Sequence, residues 1–136
     1  MTIYALSTGQ GISGIAVIRV SGEKTEDVIK KITGDELPNP RVASKRKFNY
    51  AGTNELIDEG VLLWFPGPNS YTGEDLAEFH VHGSRAVINA LHDTIGNIKN
   101  CRLAEPGEFT KKAFQNGKIN LLRAESIADL ISSETE

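Results

Sequence analysis

The sequence predicts an α+β domain: a mixed β-sheet of about five to six strands with helices on one side, followed by a C-terminal helix. Three observations support this fold class. Short β-branched or alternating runs are typical of strands, and longer runs with apolar residues three and four apart are typical of helices. Several strand runs also follow one another without a helix between them, which favours a mixed sheet over a doubly wound parallel one.

Six runs carry the strand pattern. The first two are separated by a glycine-rich loop, and a turn at 52–54 predicts a hairpin between the third and fourth. The sixth run is short. The predicted strands are 2–7, 15–20, 47–51, 60–65, 76–82 and 100–104.

Four runs carry the helix pattern, at 22–33, 85–95, 107–116 and 120–134. Gly34 is a typical stop for the first, and Ser84 is a typical N-cap for the second. The fourth run has an apolar stripe but no stop signal, so we expect it to pack against a further part of a longer protein or against another subunit.

The composition is that of an ordinary globular domain. The chain has 136 residues, 39% hydrophobic and 24% charged, with 13 Gly and 5 Pro, which excludes disordered and collagen-like classes. The single cysteine, Cys101, excludes an internal disulfide and fits a reducing cytoplasm. No apolar run approaches the roughly 18 residues of a membrane span, and the first residues lack signal-peptide features. We therefore expect a cytoplasmic protein without a membrane partner.

The charge pattern does not predict a stand-alone nucleic-acid binder. The formal net charge is −3. One basic cluster, at 41–47, is interpreted as a solvated turn, because short charge runs usually are.

Glycine-rich motifs give no nucleotide site in this chain. The segment 9–14 matches G-x-G-x-x-G, but a strand-like run follows it, and a dinucleotide site needs a helix there. The P-loop pattern G-x-x-x-x-G-K-[ST] is absent from the sequence.

The predicted strand 76–82 is unusual in its side chains. Because side chains alternate along a strand, Glu78, His80 and His82 share one face with Leu76. This face is either solvated, a metal site formed by the three ionisable residues, or an organic-ligand site in which Glu78 accepts hydrogen bonds.

Arg19 lies late in the second predicted strand, on the same side as Val17. A guanidinium on a partly buried face needs a carboxylate, a ligand anion or an exit to solvent. A structural Arg–Glu pair and a ligand contact are both compatible with the pattern.

The loop 65–75 contains two prolines and two glycines, which give it a defined shape. It is either a rigid turn or the lip of a site for a flat heteroaromatic ligand, with Asn69, Ser70, Tyr71 and Thr72 as candidate contacts. Further along, Lys118 projects from a predicted Asn-Gly turn, a position that is usually surface decoration.

Six stretches carry a resemblance to a known family: 18–22, 65–75, 78–83, 106–110, 113–118 and 124–131. Together they resemble the N-terminal part of the TrmE (MnmE) family of tRNA-modification GTPases, from about Thr2 to Glu136. The resemblance implies a folate-binding and dimerisation domain at 1–118, related in fold to the aminomethyltransferase of the glycine cleavage system. Residues 119–136 would then be the first helix of a central helical domain.

The resemblance also implies a ligand and partners. The family's folate contacts fall on Arg19, Glu78 and Lys118, and the ligand would be a tetrahydrofolate derivative, 5-formyl- or 5,10-methylene-tetrahydrofolate. The module would form a homodimer, and the full family protein acts with the flavoprotein GidA (MnmG) on carbon 5 of the wobble uridine of tRNA. GTP, magnesium and potassium belong to family segments that this chain lacks, so whether the chain itself is an enzyme stays open.

This sequence departs from the family pattern at 9–14 and at Ser84, where a second glycine is common. No catalytic nucleophile or base is named by the residues. Two alternatives remain: a metal-dependent enzyme using Glu78, His80 and His82, or a purely structural dimerisation module.

Overall fold

The computed structural model of the chain describes residues 1–7 and 14–119. In this part the strands are β1 Thr2–Leu6, β2 Ile15–Ser21, β3 Ser44–Asn49, β4 Leu56–Phe65, β5 Leu76–His82 and β6 Cys101–Leu103. The helices are α1 Thr25–Thr33, α2 Arg85–Gly96 and α3 Glu108–Gln115. The predicted helix at 120–134 and most of the 9–14 loop lie outside the described residues.

The six strands form one sheet in the order β3-β4-β5-β2-β1-β6. Neighbouring strands are antiparallel except β1 and β6, which are parallel, so the sheet is mixed. The α+β class predicted from the sequence is confirmed, as is the hairpin between β3 and β4. None of the described helices is long and apolar enough to cross a membrane.

One face of the sheet forms the hydrophobic core. Alternate residues of the central strands, such as Ile18 of β2 and Phe79 of β5, are fully buried there. The Phe79 ring meets that of Phe48 edge-on, with centroids 5.1 Å apart. Burial of each such side chain contributes about 1.5–3 kcal/mol. Helices α1 and α2 cover this face with the residues Val28, Ile29, Ile32, Leu91 and Ile95.

Helix boundaries follow the sequence signals where a cap was present. Gly34 ends α1 in the left-handed conformation, and the Ser84 side chain accepts the backbone N–H of Val87 at the start of α2. The predicted start of α1 at residue 22 is wrong. A Cβ on Gly22, at φ +139°, would lie 2.7 Å from the Thr2 Cα, so this glycine makes a close approach to β1 before the helix begins at Thr25.

Strands β3 and β4 are longer than predicted. The basic cluster was expected to be a solvated turn, but Lys45 and Lys47 lie within β3, the edge strand. Charged side chains suit an edge because they discourage pairing with another chain. Strand β4 begins four residues before the predicted start, Gly60. A Cβ there would clash with the His80 carbonyl oxygen, so Gly60 permits a close approach of β4 to β5.

Burial of His92 should make the stability of the protein depend on pH. This residue of α2 packs edge-on against Tyr4 of β1, and its buried Nε2 has no partner among the described residues. Burial lowers the pKa of His92, although Asp93 opposes this. The unfolded chain therefore binds the proton more readily, and the free energy of unfolding falls as pH drops below about 6.5. We expect urea titrations to show a shallower fall for His92→Phe, and equal slopes for the two chains would contradict this assignment.

Candidate functional site

An arginine and a glutamate meet on the sheet face opposite the core. The antiparallel register of β2 and β5 sets Arg19 directly opposite Glu78. Their side chains form an ion pair with Nη2 and Oε2 3.2 Å apart, and remain 27% and 18% exposed. Cross-strand pairs of opposite charge stabilise a sheet modestly, by about 0.2–1 kcal/mol. The pair therefore stabilises the sheet only modestly, and it places one positive and one negative group side by side on this face.

Glu78 has a second partner on its own strand. The His80 Nε2 lies 3.1 Å from the other carboxylate oxygen, Oε1. Each carboxylate oxygen still has a further lone pair with which to accept a donor. On the arginine, Nε is buried and has no hydrogen-bond partner among the described residues. The pair thus keeps unused capacity on both its acidic and basic members.

Two aromatic rings lie against the guanidinium of Arg19. Its carbon is 5.5 Å from the centroid of the Tyr71 ring and 5.8 Å from that of Phe109. A guanidinium within about 6 Å of a ring centroid is attracted by the π face. Tyr71 was predicted as a site residue, whereas Phe109 was not. No local signal in the sequence connects Phe109 with Arg19.

The other candidates in the 66–75 loop have different surroundings. Thr72 is fully buried, and its hydroxyl is 2.8 Å from that of Ser21. The Ser70 hydroxyl donates to the Glu74 carbonyl. Asn69 is exposed. Thr72 and Ser70 therefore hold the loop in shape, and Tyr71 is the member that reaches the ion pair.

Helix α3 and Lys118 are attached to the same loop. Asn116 Nδ2 donates to the Thr72 carbonyl at 2.7 Å, and Lys112 Nζ lies 2.9 Å from Glu74 Oε1. A Cβ built on Gly73 would lie 3.3 Å from the Lys118 Cε. Lys118 thus lies beside the loop whose Tyr71 packs on Arg19. Lys118 is exposed, and within the described residues it forms no ion pair.

The geometry separates the histidines of β5 rather than gathering them. His80 pairs with Glu78, whereas the His82 Nδ1 lies 2.9 Å from Asp58 Oδ1 on β4. Among residues 1–7 and 14–119, no group of three or more His, Cys, Asp or Glu side chains could hold a metal ion. Within these residues, Glu78, His80 and His82 do not come together as the metal centre considered from the sequence.

A small cavity lies at a different place. It has a volume of about 130 Å³ and is lined by Met1, Thr2, Glu23, Lys24 and Asn100. None of the predicted ligand residues lines it. Drug-sized ligands occupy clefts of roughly 300–1,000 Å³, so this cavity is too small to compete as the main site.

Fold and site together define an α+β domain that carries a partly exposed Arg–Glu pair on the sheet face opposite the core. Residues 2–118 match the family model described as "GTP-binding protein TrmE N-terminus", and the chain belongs to this family.

Curated relatives agree with this membership. The chain is 74% identical over 136 residues to a "tRNA modification GTPase MnmE" of Pelagibacter ubique, which covers 100% of this chain and 31% of the relative. It is 54% identical over 135 residues to the Phenylobacterium zucineum protein of the same name, covering 99% of this chain and 30% of the relative. It is also 50% identical to the mitochondrial "5-taurinomethyluridine-[tRNA] synthase subunit GTPB3" of Danio rerio, covering 99% of this chain and 27% of that protein. The chain spans less than a third of the length of these relatives.

The packing of the end of α3 against Gly73 of the loop gives a prediction with a matched control. Gly73 has φ +81°, and a Cβ there would lie 2.9 Å from the Asn116 Cβ, whereas Gly52 has φ +74° with open space around it. Alanine at either position meets a left-handed backbone penalty of about 1–2 kcal/mol. We expect Gly73→Ala to lower the free energy of unfolding further than Gly52→Ala in urea titrations. Equal losses would show that α3 does not pack tightly on the loop.

Proposed function

We propose that this chain binds a reduced folate that carries a one-carbon unit, as the N-terminal module of a tRNA-modification GTPase. The ligand would be 5-formyl- or 5,10-methylene-tetrahydrofolate, and its contacts would include Arg19, Glu78 and Lys118. The observation that carries the proposal is the partly buried Arg19–Glu78 pair, which retains unused hydrogen-bonding capacity.

The chemistry of a pterin ring suits this pair. A pterin presents a ring N–H and an exocyclic amine side by side, and an ionised carboxylate can accept both hydrogen bonds. Glu78 is such an acceptor, and His80 and Arg19 fix its two oxygens in position. A carboxylate that is held in place before binding loses less conformational freedom when the ligand arrives.

The cationic groups suit the remaining parts of the ligand. Folate carries ring and formyl oxygens and an acidic glutamate tail, which are acceptors for guanidinium and ammonium groups. Arg19 has a buried Nε without a partner among the described residues, and Lys118 is exposed beside Gly73. Tyr71 supplies an aromatic surface at the same place. When bound, the folate supplies the one-carbon unit, and these side chains bind and orient it.

The wider role rests on the family. The names of the relatives describe tRNA modification. We propose that the protein acts on carbon 5 of the wobble uridine together with a flavoprotein of the GidA (MnmG) type, in the cytoplasm. We propose further that 1–118 forms a homodimer with its copy, and that 119–136 begins a helical domain.

Ligand binding is tested by thermal unfolding with 5-formyltetrahydrofolate. A ligand that binds only the folded state raises the melting temperature, and a concentration of 100 times Kd adds about 2.7 kcal/mol. We expect the unmodified chain to show this shift and Glu78→Gln and Arg19→Ala to lose it. Lys118→Ala should reduce it, because Lys118 lies beside the loop that carries Tyr71 but outside the ion pair.

Two matched variants serve as controls. Glu59→Gln removes an exposed carboxylate of β4 that pairs with Lys45 at 3.0 Å, and Lys111→Ala removes an exposed ammonium of α3. Both should keep the full thermal shift. A shift that survives in Glu78→Gln and Arg19→Ala would remove the pair from the site and leave it a structural ion pair.

A further inference from the structure

The imidazole of His80 holds the one oxygen of Glu78 that Arg19 does not reach. Its Nε2 lies 3.1 Å from Glu78 Oε1, whereas the Arg19 Nη2 lies 3.2 Å from Oε2. The two donors approach from different places, His80 from the same strand and Arg19 from the neighbouring one. The His80 side chain is 30% exposed, so its contact with the carboxylate is partly shielded from water. Each carboxylate oxygen thus has its own donor.

The strands beside β5 place apolar residues next to this ring. The residues directly opposite His80 are Val17 on β2 and Val61 on β4. Directly opposite residues of antiparallel strands share a face of the sheet, with Cβ atoms about 4.5–5.5 Å apart. Among the described residues, Glu78 is the one whose side chain makes a hydrogen bond to the ring. The position of the imidazole is therefore set by the carboxylate that it contacts.

The contact assigns the proton of the ring. A carboxylate that pairs with a guanidinium accepts hydrogen bonds and donates none. The Nε2 of His80 therefore carries a hydrogen and donates it to Glu78. Both contacts to the carboxylate then run in the same direction, from a donor to an acceptor oxygen, and each oxygen keeps a lone pair for a further donor.

Two donors restrict Glu78 in a way that one does not. The terminal torsion of a glutamate side chain has a broad energy minimum, so a carboxylate with a single contact turns about its last bond. A second donor on the other oxygen removes this freedom. The remaining lone pairs are then held side by side, where they match a ligand edge with two adjacent N–H donors and oppose an edge with an acceptor.

We propose that His80 is the positioning residue that makes Glu78 a fixed acceptor of two hydrogen bonds, and that it thereby sets the preference of this site for 2-amino-4-oxo rings over 2,4-dioxo rings. The first class, to which pterins belong, presents an amine beside a ring N–H. The second class has a carbonyl oxygen in place of the amine, and this oxygen meets the carboxylate as acceptor against acceptor. His80 acts through Glu78 and does not touch the ligand. The contact between Glu78 and the pterin rests on the proposed function.

Two substitutions of His80 separate its donor from its bulk. His80→Leu removes the donor and places an apolar side chain between the two opposite valines. His80→Gln keeps a donor, because the glutamine amide also carries N–H groups. His82→Leu and His82→Gln are matched controls, since His82 lies on the same strand and its ring pairs with Asp58 instead of Glu78.

Calorimetry compares two ligands, 5-formyltetrahydrofolate and its analogue in which oxygen replaces the 2-amino group. A ligand that has to order a mobile carboxylate loses affinity, so we expect His80→Leu to bind 5-formyltetrahydrofolate about three- to tenfold more weakly. Its affinity for the analogue should change less than about twofold, because the analogue does not use the pair of acceptors. His80→Gln should recover the affinity for 5-formyltetrahydrofolate, and both His82 variants should bind like the unmodified chain.

The melting temperature without ligand separates positioning from a purely structural role. A histidine that served the sheet alone would lower this temperature when replaced by leucine and leave the binding of 5-formyltetrahydrofolate unchanged. We expect the reverse, an undiminished melting temperature with weaker binding. Nitrogen-15 NMR of the ligand-free chain should in addition show a proton on Nε2 of His80.

Three results would overturn the role of His80 while 5-formyltetrahydrofolate still binds the unmodified chain. They are full affinity in His80→Leu, an equal loss of affinity for both ligands in that variant, and a His80 ring whose Nε2 carries no proton. Absence of binding by the unmodified chain would overturn the proposed function and the ligand preference together. The two failures are therefore distinguished by the unmodified chain.

Discussion

The contact between Arg19 and Glu78 links the two strands at the middle of the sheet, and the loop 66–75 and helix α3 pack against it. A guanidinium cannot lose its charge in a protein, so a half-buried arginine has to be satisfied by neighbouring groups. Here one carboxylate and two aromatic rings meet this need, but Nε stays without a partner among the described residues. The loop 66–75 and helix α3 are the elements that bring those rings to the arginine.

The surrounding contacts keep this face open. The hydroxyl of the buried Thr72 is hydrogen-bonded to that of Ser21, and Asn116 and Lys112 attach α3 to the loop. These contacts engage the loop and helix, and leave the ion pair partly exposed. An ion pair that served stability alone would gain little here, because partly exposed pairs are commonly worth less than about 1 kcal/mol. The same charges, held in place at an open surface, are well suited to recognising a charged planar ligand.

Local patterns predicted much of the fold. Alternation along 76–82 placed Glu78, His80 and His82 on one face, and the caps at Gly34 and Ser84 followed from residue chemistry. Strand β4 was predicted to start at Gly60, whereas it starts at Leu56 and uses Gly60 for a close approach to β5. The basic residues of β3 were interpreted as a turn because central strands rarely carry such charge. An edge strand such as β3 tolerates it.

The site could be predicted only in part, because its residues are far apart in the sequence. Arg19 and Glu78 are 59 residues apart, and their pairing depends on the register of β2 against β5. The approach of Phe109 to Arg19 and of Asp58 to His82 likewise depends on tertiary packing, which no local pattern specifies. Residue patterns singled out Arg19, Glu78 and Lys118, the family resemblance assigned folate contacts to them, and their role in binding stays a prediction.

A crystal structure of the chain with 5-formyltetrahydrofolate tests the central claim most directly. The account predicts that the pterin ring N–H and amine lie within hydrogen-bond distance of the Glu78 carboxylate, with a ligand oxygen near Arg19. A ligand bound elsewhere, with the Arg19–Glu78 contact unchanged and shielded from it, would contradict the account and leave the pair as a structural element of the sheet.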